Sequence, residues 1–220
     1  MEDYMSQDSQ LQQAILAELN WEPSVLAGHI GVTAKDGVAT LTGHVESYPH
    51  KHAAEMAARR VKGVFAVADE IIVQLPPSTR PSDEDIAAAV IERLAWDVSI
   101  PQDCIKATVT EGWLTLTGQV NFHYQREAAA QDARNLRGVV GITNEMTIKP
   151  RVDVAHLSME ITHALNRSWF FDPDAIRVNA EGGVVRLSGT VHSPNDRLIA
   201  ANTAWSASGV TAVENDIKVL

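Results

Sequence analysis

The chain has 220 residues, of which 45% are hydrophobic and 21% are charged, and its formal net charge is −10 at pH 7. This length is enough for two or three small domains, and the acidic charge argues against a nucleic-acid partner, which requires a basic face that releases counterions from phosphates. The single cysteine, Cys104, excludes an internal disulfide and a cysteine-based zinc cluster, and we interpret it as a small apolar residue.

The amino-terminal residues 1–8 are acidic and polar. They lack the basic region, the apolar stretch and the small-residue cleavage site of a signal peptide. No run of the sequence approaches the ~18 apolar residues that a transmembrane helix needs. The sequence as written therefore predicts a cytoplasmic protein.

The first predicted element is an amphipathic helix, and its pattern occurs three times along the chain. Apolar residues at positions i, i+4 and i+8 form one stripe, with polar residues beside it. The acidic or hydroxyl residues Asp8, Ser9 and Ser82 precede the first two copies, as expected for N-caps. The three stripes are Leu11, Ile15, Leu19; Ile86, Val90, Leu94; and Leu157, Ile161, Leu165.

A β-hairpin is predicted after each of these helices. A short alternating strand leads into a glycine-containing turn, at Asp36-Gly37, Glu111-Gly112 and Gly182-Gly183, where glycine supplies the positive φ that hairpin turns require. The second strand alternates aliphatic and polar residues and is expected to end at a hydroxyl-glycine step followed by one more valine. The glycines of that step are Gly43, Gly118 and Gly189, at intervals of 75 and 71 residues.

A second helix and a third strand complete each repeat. Alanines four residues apart lie on one face of the predicted helix, which lets it approach a sheet closely. The glycines Gly63, Gly138 and Gly209 follow this helix and are expected as its C-caps. The last strand carries an acidic or amide step at its centre, Asp69-Glu70 in the first copy.

The repeated order of elements is α-β-β-α-β. We therefore predict an α/β (α+β) protein of three tandem modules, each a three-stranded mixed sheet with two helices on one face. The predicted modules span residues 8–75, 82–149 and 154–220, with proline-containing linkers near 76–81 and 150–153.

This combination resembles the BON domain: the helix, the Asp-Gly turn, the strand with Thr-Leu-Thr-Gly-x-Val, the alanine-bearing helix, the Gly-Val step and the final strand occur at matched spacing in three copies. The resemblance implies a non-enzymatic module of bacterial envelope, osmotic-stress or transport-associated proteins. It implies binding of phospholipid or another ligand, or a role in assembly. The expected partners are therefore phospholipid, envelope proteins or further copies of the chain, and the alternative location is the periplasm or envelope.

An aromatic cluster, Trp169-Phe170-Phe171, follows the first helix of the third module. Three adjacent aromatic residues cannot all face one core. The cluster either covers the contact with the second module or forms a lipid- or ligand-binding surface, because aromatic side chains favour the headgroup level of a membrane. Trp21 and Trp96, at the corresponding place in the other modules, are expected to pack in the core or at its edge.

Basic residues recur eight positions after the repeated glycine, at Lys51, Arg126 and Arg197. A helix start is an unfavourable place for a cation, because the helix dipole favours anions there. These side chains are candidates for binding a phosphate headgroup, and they could equally cover an apolar patch or pair with a nearby acid. Glu70, Glu145 and Asp216 are expected to form local turn or inter-strand bonds.

Neither a metal nor a catalytic site is predicted. His44, His50 and His52 are close in sequence, with His29 across the hairpin, but the other modules lack histidine at these positions. The sequence has no nucleophile elbow, phosphate loop or zinc-protease motif. We predict no enzyme activity and no cofactor, and two functions remain open: a lipid- or envelope-associated module, or a cytoplasmic scaffold or small-ligand sensor, including a potassium-type ion sensor.

Overall fold

The structure is a computed structural model, and it describes residues 7–75, 80–101, 103–150, 154–168 and 175–220. The predicted linker residues 76–79 and 151–153 lie outside the described residues.

The first module has the predicted α-β-β-α-β order. Its elements are α1 (Gln7–Trp21), β1 (Ile30–Lys35), β2 (Val38–Val45), α2 (Tyr48–Arg60) and β3 (Ala66–Val73), with a short 3-10 turn at Ala27–His29 before β1. The sheet order is β1-β2-β3. β1 and β2 are antiparallel, with Ile30 opposite Gly43, whereas β2 and β3 are parallel, with Val38 opposite Ala66.

The other two modules repeat this order. The second contains α3 (Asp83–Trp96), β4 (Ile105–Thr110), β5 (Trp113–Val120), α4 (His123–Arg134), β6 (Gly141–Asn144) and β7 (Thr147–Ile148). The third contains α5 (Val154–Asn166), β8 (Ile176–Glu181), β9 (Val184–Val191), α6 (Pro194–Trp205) and β10 (Ala212–Val219). The predicted fold class, with mixed sheets and six helices, is therefore confirmed.

The third strand of the second module differs from the prediction because it is divided into two pieces. β6 and β7 each pair with β5, and two residues separate them. At the division the Asn144 side chain accepts a hydrogen bond from the Met146 N–H at 3.1 Å, and the Glu145 N–H donates to the Leu116 carbonyl at 2.8 Å. The same side-chain bond occurs in the undivided third strands of the other modules, from the Ile71 N–H to Asp69 and from the Ile217 N–H to Asn215, so it does not by itself explain the division.

The predicted helix stripes form the cores. In the first module Ile15 and Leu19 are fully buried and pack with Leu41 of β2 and with Ala54 and Ala58 of α2. Both helices lie on one face of the sheet, because each contributes to the same cluster. The alanines leave room for α2 to lie close to the strands, and α6 packs through Ala200 and Ala204 in the third module in the same way.

Glycine conformation sets the path of the hairpin. The turn residues Asp36 and Gly37 both have positive φ, 50° and 78°, as predicted for this turn type. Gly43 has a φ of +119°, and a Cβ built there would lie 2.1 Å from the His29 carbonyl oxygen. β2 nevertheless continues two residues beyond Gly43, to Val45, so the glycine lies within the strand, where the chain entering β1 approaches it closely.

The glycines that follow the second helix lie beyond its cap. The α2 helix has its C-cap at Val61, two residues before Gly63. Gly63, Gly138 and Gly209 all have positive φ, between 81° and 96°, and they turn the chain from the helix into the third strand.

Contacts divide the chain into two compact units. One contains residues 1–90, 109–114 and 133–142, and the other contains residues 91–108, 115–132 and 143–220. The second module contributes residues to both units.

Candidate functional site

Two tryptophans at the ends of first helices are exposed to solvent. Trp21 is 83% exposed and Trp96 is 74% exposed. The expectation that they pack in the core or at its edge is therefore wrong. Each is the last residue of its helix and follows the last buried stripe residue, Leu19 or Leu94, by two positions, which places it on the opposite side of the helix.

An apolar hollow lies at the carboxyl end of α3 in the second module. We call it the α3 hollow, and its volume is about 220 Å³. Ile91, which lines the hollow, is 67% exposed. Val98, in the loop after the helix, is fully exposed. The lining residues are Ile91, Leu94, Ala95, Ile100, Pro101, Asp103, Ile105 and Ala107. One acid among eight lining residues makes the hollow an apolar surface.

Hydrogen bonds hold the loop that carries Val98. The Asp97 carboxylate accepts from the Ser99 N–H at 2.8 Å and from the Ser99 hydroxyl at 2.6 Å. The Ile100 N–H donates to the Asp97 carbonyl at 3.1 Å. The hydrogen bond from the Ser99 hydroxyl holds the pKa of the Asp97 carboxyl below its usual value. The Asp97 carboxylate thus forms its hydrogen bonds within the turn, and Val98 lies at the tip of the turn.

The predicted aromatic cluster Trp169-Phe170-Phe171 lies outside the described residues. It follows α5, which ends at Asn166. Aromatic residues therefore occur in the sequence at, or within a few residues of, the end of the first helix in all three modules.

Two of the three predicted basic side chains, Lys51 and Arg197, contact the third strands of their own modules. The Lys51 ammonium donates to the Ile71 carbonyl at 2.6 Å and lies 3.6 Å from the Asp69 carboxylate. The Arg197 guanidinium donates to the Asn215 carbonyl at 2.9 Å. Arg126 lies 3.4 Å from the Glu127 carboxylate. A headgroup-binding role for Lys51, Arg126 and Arg197 stays a prediction, while the Lys51 and Arg197 side chains tie helix to strand.

An amide side chain in the third strand completes this link. Asn144 donates to the Arg126 carbonyl at 3.2 Å, and Asn215 donates to the Arg197 carbonyl at 3.1 Å. Each asparagine also accepts from the N–H two residues ahead. We call this pair of positions the helix–strand clasp. Sequence reasoning missed the pairing, although a constant spacing of eighteen residues between the two positions could have indicated it.

The histidines of the first module form a pair rather than a cluster. The rings of His29 and His44 stack with their centroids 4.9 Å apart. His52 lies 4.0 Å from the Glu55 carboxylate. Within the described ranges no group of three or more histidine, cysteine or acidic residues could hold a metal ion.

Among the residues that the structure describes, no helix is both long and apolar enough to cross a bilayer.

These features define a tandem-repeat α+β protein with exposed apolar ends on the first helices of its first two modules. The chain belongs to the BON domain family: the family model matches residues 7–74, 82–150 and 153–220.

Two curated relatives share the repeated region. Osmotically-inducible protein Y of Escherichia coli is 26% identical over 146 residues, which cover 64% of this chain and 73% of that protein. Outer membrane lipoprotein DolP of Haemophilus influenzae is 28% identical over 149 residues, which cover 64% of this chain and 77% of that protein.

Among solved structures, the chain is similar to CdsD, a structural protein of the type III secretion system of Chlamydia trachomatis. The identity is 17%, the match covers 96% of this chain and 92% of that one, and the TM-score is 0.28. This similarity is too distant to carry an argument.

Proposed function

We propose that this protein is a non-enzymatic binding protein that associates with phospholipid surfaces in the bacterial envelope through the exposed ends of its first helices. The observation that carries the proposal is the exposure of three large apolar side chains around the carboxyl end of α3: Ile91, which lines the α3 hollow, Trp96, the last residue of the helix, and Val98, in the loop after it. Soluble proteins seldom expose neighbouring large apolar side chains unless the surface binds something.

The chemistry of this surface suits a lipid interface. Tryptophan favours the headgroup level, with aliphatic side chains inserted beside it. The net charge of −10 opposes adsorption to anionic lipid by charge alone. Apolar insertion would therefore supply the binding free energy, and added salt would weaken binding little.

The relatives support the setting of this proposal. One is named for osmotic induction and the other as an outer membrane lipoprotein. An envelope location and a role in the osmotic-stress response are accordingly part of the proposal for this chain.

Vesicle flotation tests the proposal, with neutral and with anionic phospholipid vesicles. We expect the wild type to float, and the variant Ile91→Ala, Trp96→Ala, Val98→Ala to lose at least about tenfold in partitioning. Full burial of each such side chain contributes roughly 1.5–3 kcal/mol, and about 1.4 kcal/mol corresponds to tenfold. Ile72→Ala is the matched control, because Ile72 is 67% exposed on the first module's sheet.

A second variant measures the share of the third module. Replacing Trp169, Phe170 and Phe171 together by alanine would lower flotation further if the predicted aromatic cluster also inserts. Wild-type protein that stays with the unbound fraction on both lipid types would refute the lipid proposal.

A further inference from the structure

The same positions of the repeat form contacts between neighbouring modules twice. Tyr48 and His123 are the first residues of α2 and α4, and each follows the repeated glycine by five positions. Arg134 and Trp205 are the last residues of α4 and α6, and they too occupy one repeat position.

The first contact lies within the first compact unit. The Tyr48 phenol forms a hydrogen bond with the main chain of Ile142, and the positive charge of Arg134 acts on it. Burial is the largest influence on the pKa of Tyr48 and raises it, so the phenol is enclosed. The Nε atom of Arg134 is buried as well.

The second contact lies within the other compact unit. The His123 ring stacks on the Trp205 ring with a centroid distance of 4.0 Å and an angle of 24° between the planes. Beside it, the Gly209 N–H donates to the Asn121 carbonyl at 3.1 Å. In both units the start of one module's second helix therefore contacts the next module, at the first residues of its third strand in one unit and at the end of its second helix in the other.

The receiving surface of the first module is exposed. A hollow of about 450 Å³ is lined by Arg59, Val64, Phe65, Ala66 and Val67, and we call it the Phe65 hollow. Two of these lining residues, Arg59 and Val67, occupy the repeat positions of Arg134, whose charge acts on Tyr48, and of Ile142, whose main chain forms a hydrogen bond with Tyr48. Phe65 is 88% exposed, and the Arg59 side chain is 58% exposed.

The other side of this contact, the start of the second helix, is exposed in the third module. Pro194 begins α6 at the repeat position of Tyr48 and His123, and it is exposed. Leu198, one helical turn later, is 58% exposed. Leu220, whose N–H donates to the Val191 carbonyl at 2.9 Å, is 79% exposed. The first turn of α6 also carries an acid, Asp196, and the arginine of the Phe65 hollow, Arg59, forms an ion pair with Glu55 of its own helix at 2.6 Å.

We propose that the Phe65 hollow of one copy receives the first turn of α6 from a second copy, so that the protein associates head to tail. The contact continues an interface that the chain already makes twice between its own modules. It joins two different surfaces, and such heterologous contacts extend into chains when rotation does not close them. This inference goes beyond the lipid proposal and uses different residues.

Sedimentation velocity of the full chain over a range of concentrations tests this proposal. We expect the average mass of the wild type to rise with concentration past that of a dimer. Phe65→Asp and Leu198→Asp each place a charge on one of the two surfaces, so each variant alone should stay monomeric. Ile72→Asp is the control for an exposed apolar residue outside both surfaces and should associate as the wild type does.

Mixing the two variants gives the decisive result. The Phe65→Asp copy keeps an intact α6 start and the Leu198→Asp copy keeps an intact hollow, so an equimolar mixture should form heterodimers and stop there. Wild type that stays monomeric at every concentration would overturn the proposal. So would a wild-type dimer that never grows, or a mixture that stays monomeric while both variants melt at the wild-type temperature.

Discussion

A single glycine allows the first two strands of each module to approach each other closely. In the first module a Cβ at Gly43 would meet the His29 carbonyl oxygen at 2.1 Å, and the φ of +119° is itself unfavourable for other residues. The same 2.1 Å approach occurs at Gly118 and Gly189. The recurrence of this glycine in the sequence is therefore explained by the close approach of two backbones.

Gly43→Ala is expected to lower the free energy of unfolding by about 3 kcal/mol, because it adds both steric overlap and backbone strain. Urea denaturation measures this loss. Gly28→Ala is the control, since a Cβ at Gly28 meets no atom within 4 Å, and its effect should be small. Equal losses in the two variants would contradict the explanation.

His52 is expected to make stability depend on pH. Burial, followed by the charge of Arg134, holds the pKa of His52 below the usual 6.5. The folded protein therefore binds this proton less readily than the unfolded chain does. The contribution of His52 to the free energy of unfolding is complete above pH 6.5, and it is lost as pH falls through the pKa of His52 in the folded protein.

His52→Gln removes this titration and should flatten the decline of the unfolding midpoint below pH 6.5. Chemical denaturation of the wild type and the variant across that pH range compares the two slopes. Parallel curves would show that His52 does not contribute to the pH dependence.

At the scale of elements, the helix–strand clasp fixes the second helix to the third strand. Asn215 both donates to the Arg197 carbonyl at 3.1 Å and accepts from the Ile217 N–H at 3.2 Å. Arg197 donates in return to the Asn215 carbonyl at 2.9 Å. The polar step in the middle of the strand is therefore satisfied inside the module.

Asn215→Ala should destabilise the protein by roughly 1–2 kcal/mol, because two hydrogen bonds are lost at a partly buried position. Its neighbour Asp216 has a side chain that is 67% exposed, so Asp216→Ala should change stability by less than about 0.5 kcal/mol. Thermal unfolding of the two variants makes the comparison. A larger loss for Asp216→Ala would show that the clasp is not what holds the strand.

The local elements were predictable from the sequence because short-range chemistry determines them. Apolar spacing defines the helix stripes, such as Ile15 and Leu19, and glycine defines the hairpin turns. The positions of Trp21 and Trp96 were predicted wrongly, because a residue beyond the last buried turn of a helix is not constrained by the stripe. The division between β6 and β7 was not predicted, because the polar step Asn144-Glu145 has counterparts in the undivided third strands of the other modules.

At the scale of the whole molecule, the two proposed surfaces are separate in sequence and in chemistry. The lipid surface uses the ends of first helices, represented by Trp96, and the self-association surfaces use Phe65 and the start of α6. Phe65→Asp should therefore leave vesicle flotation unchanged, and the Trp96 variant should leave sedimentation unchanged. Failure of one proposal thus does not decide the other.

The module contacts could not be predicted from the sequence, because equivalent positions carry different residues. In the three modules, the first residue of the second helix is Tyr48, His123 and Pro194. The position near the end of that helix, which faces the preceding module in the second and third modules, is Arg59, Arg134 and Trp205. The second and third modules meet through the stacked rings of His123 and Trp205. The first and second modules meet through the hydrogen bond of Tyr48 with Ile142, beside the charge of Arg134. The structure is therefore needed to show that these dissimilar residues form contacts at equivalent positions of the repeat.

Cys104, the chain's only cysteine, is exposed. Its neighbours in sequence, Asp103 and Ile105, both line the α3 hollow. The natural protein thus carries a unique thiol at the margin of the proposed lipid surface. A polarity-sensitive fluorophore attached there would report, by its emission, whether this edge leaves water, with no residue of the chain altered.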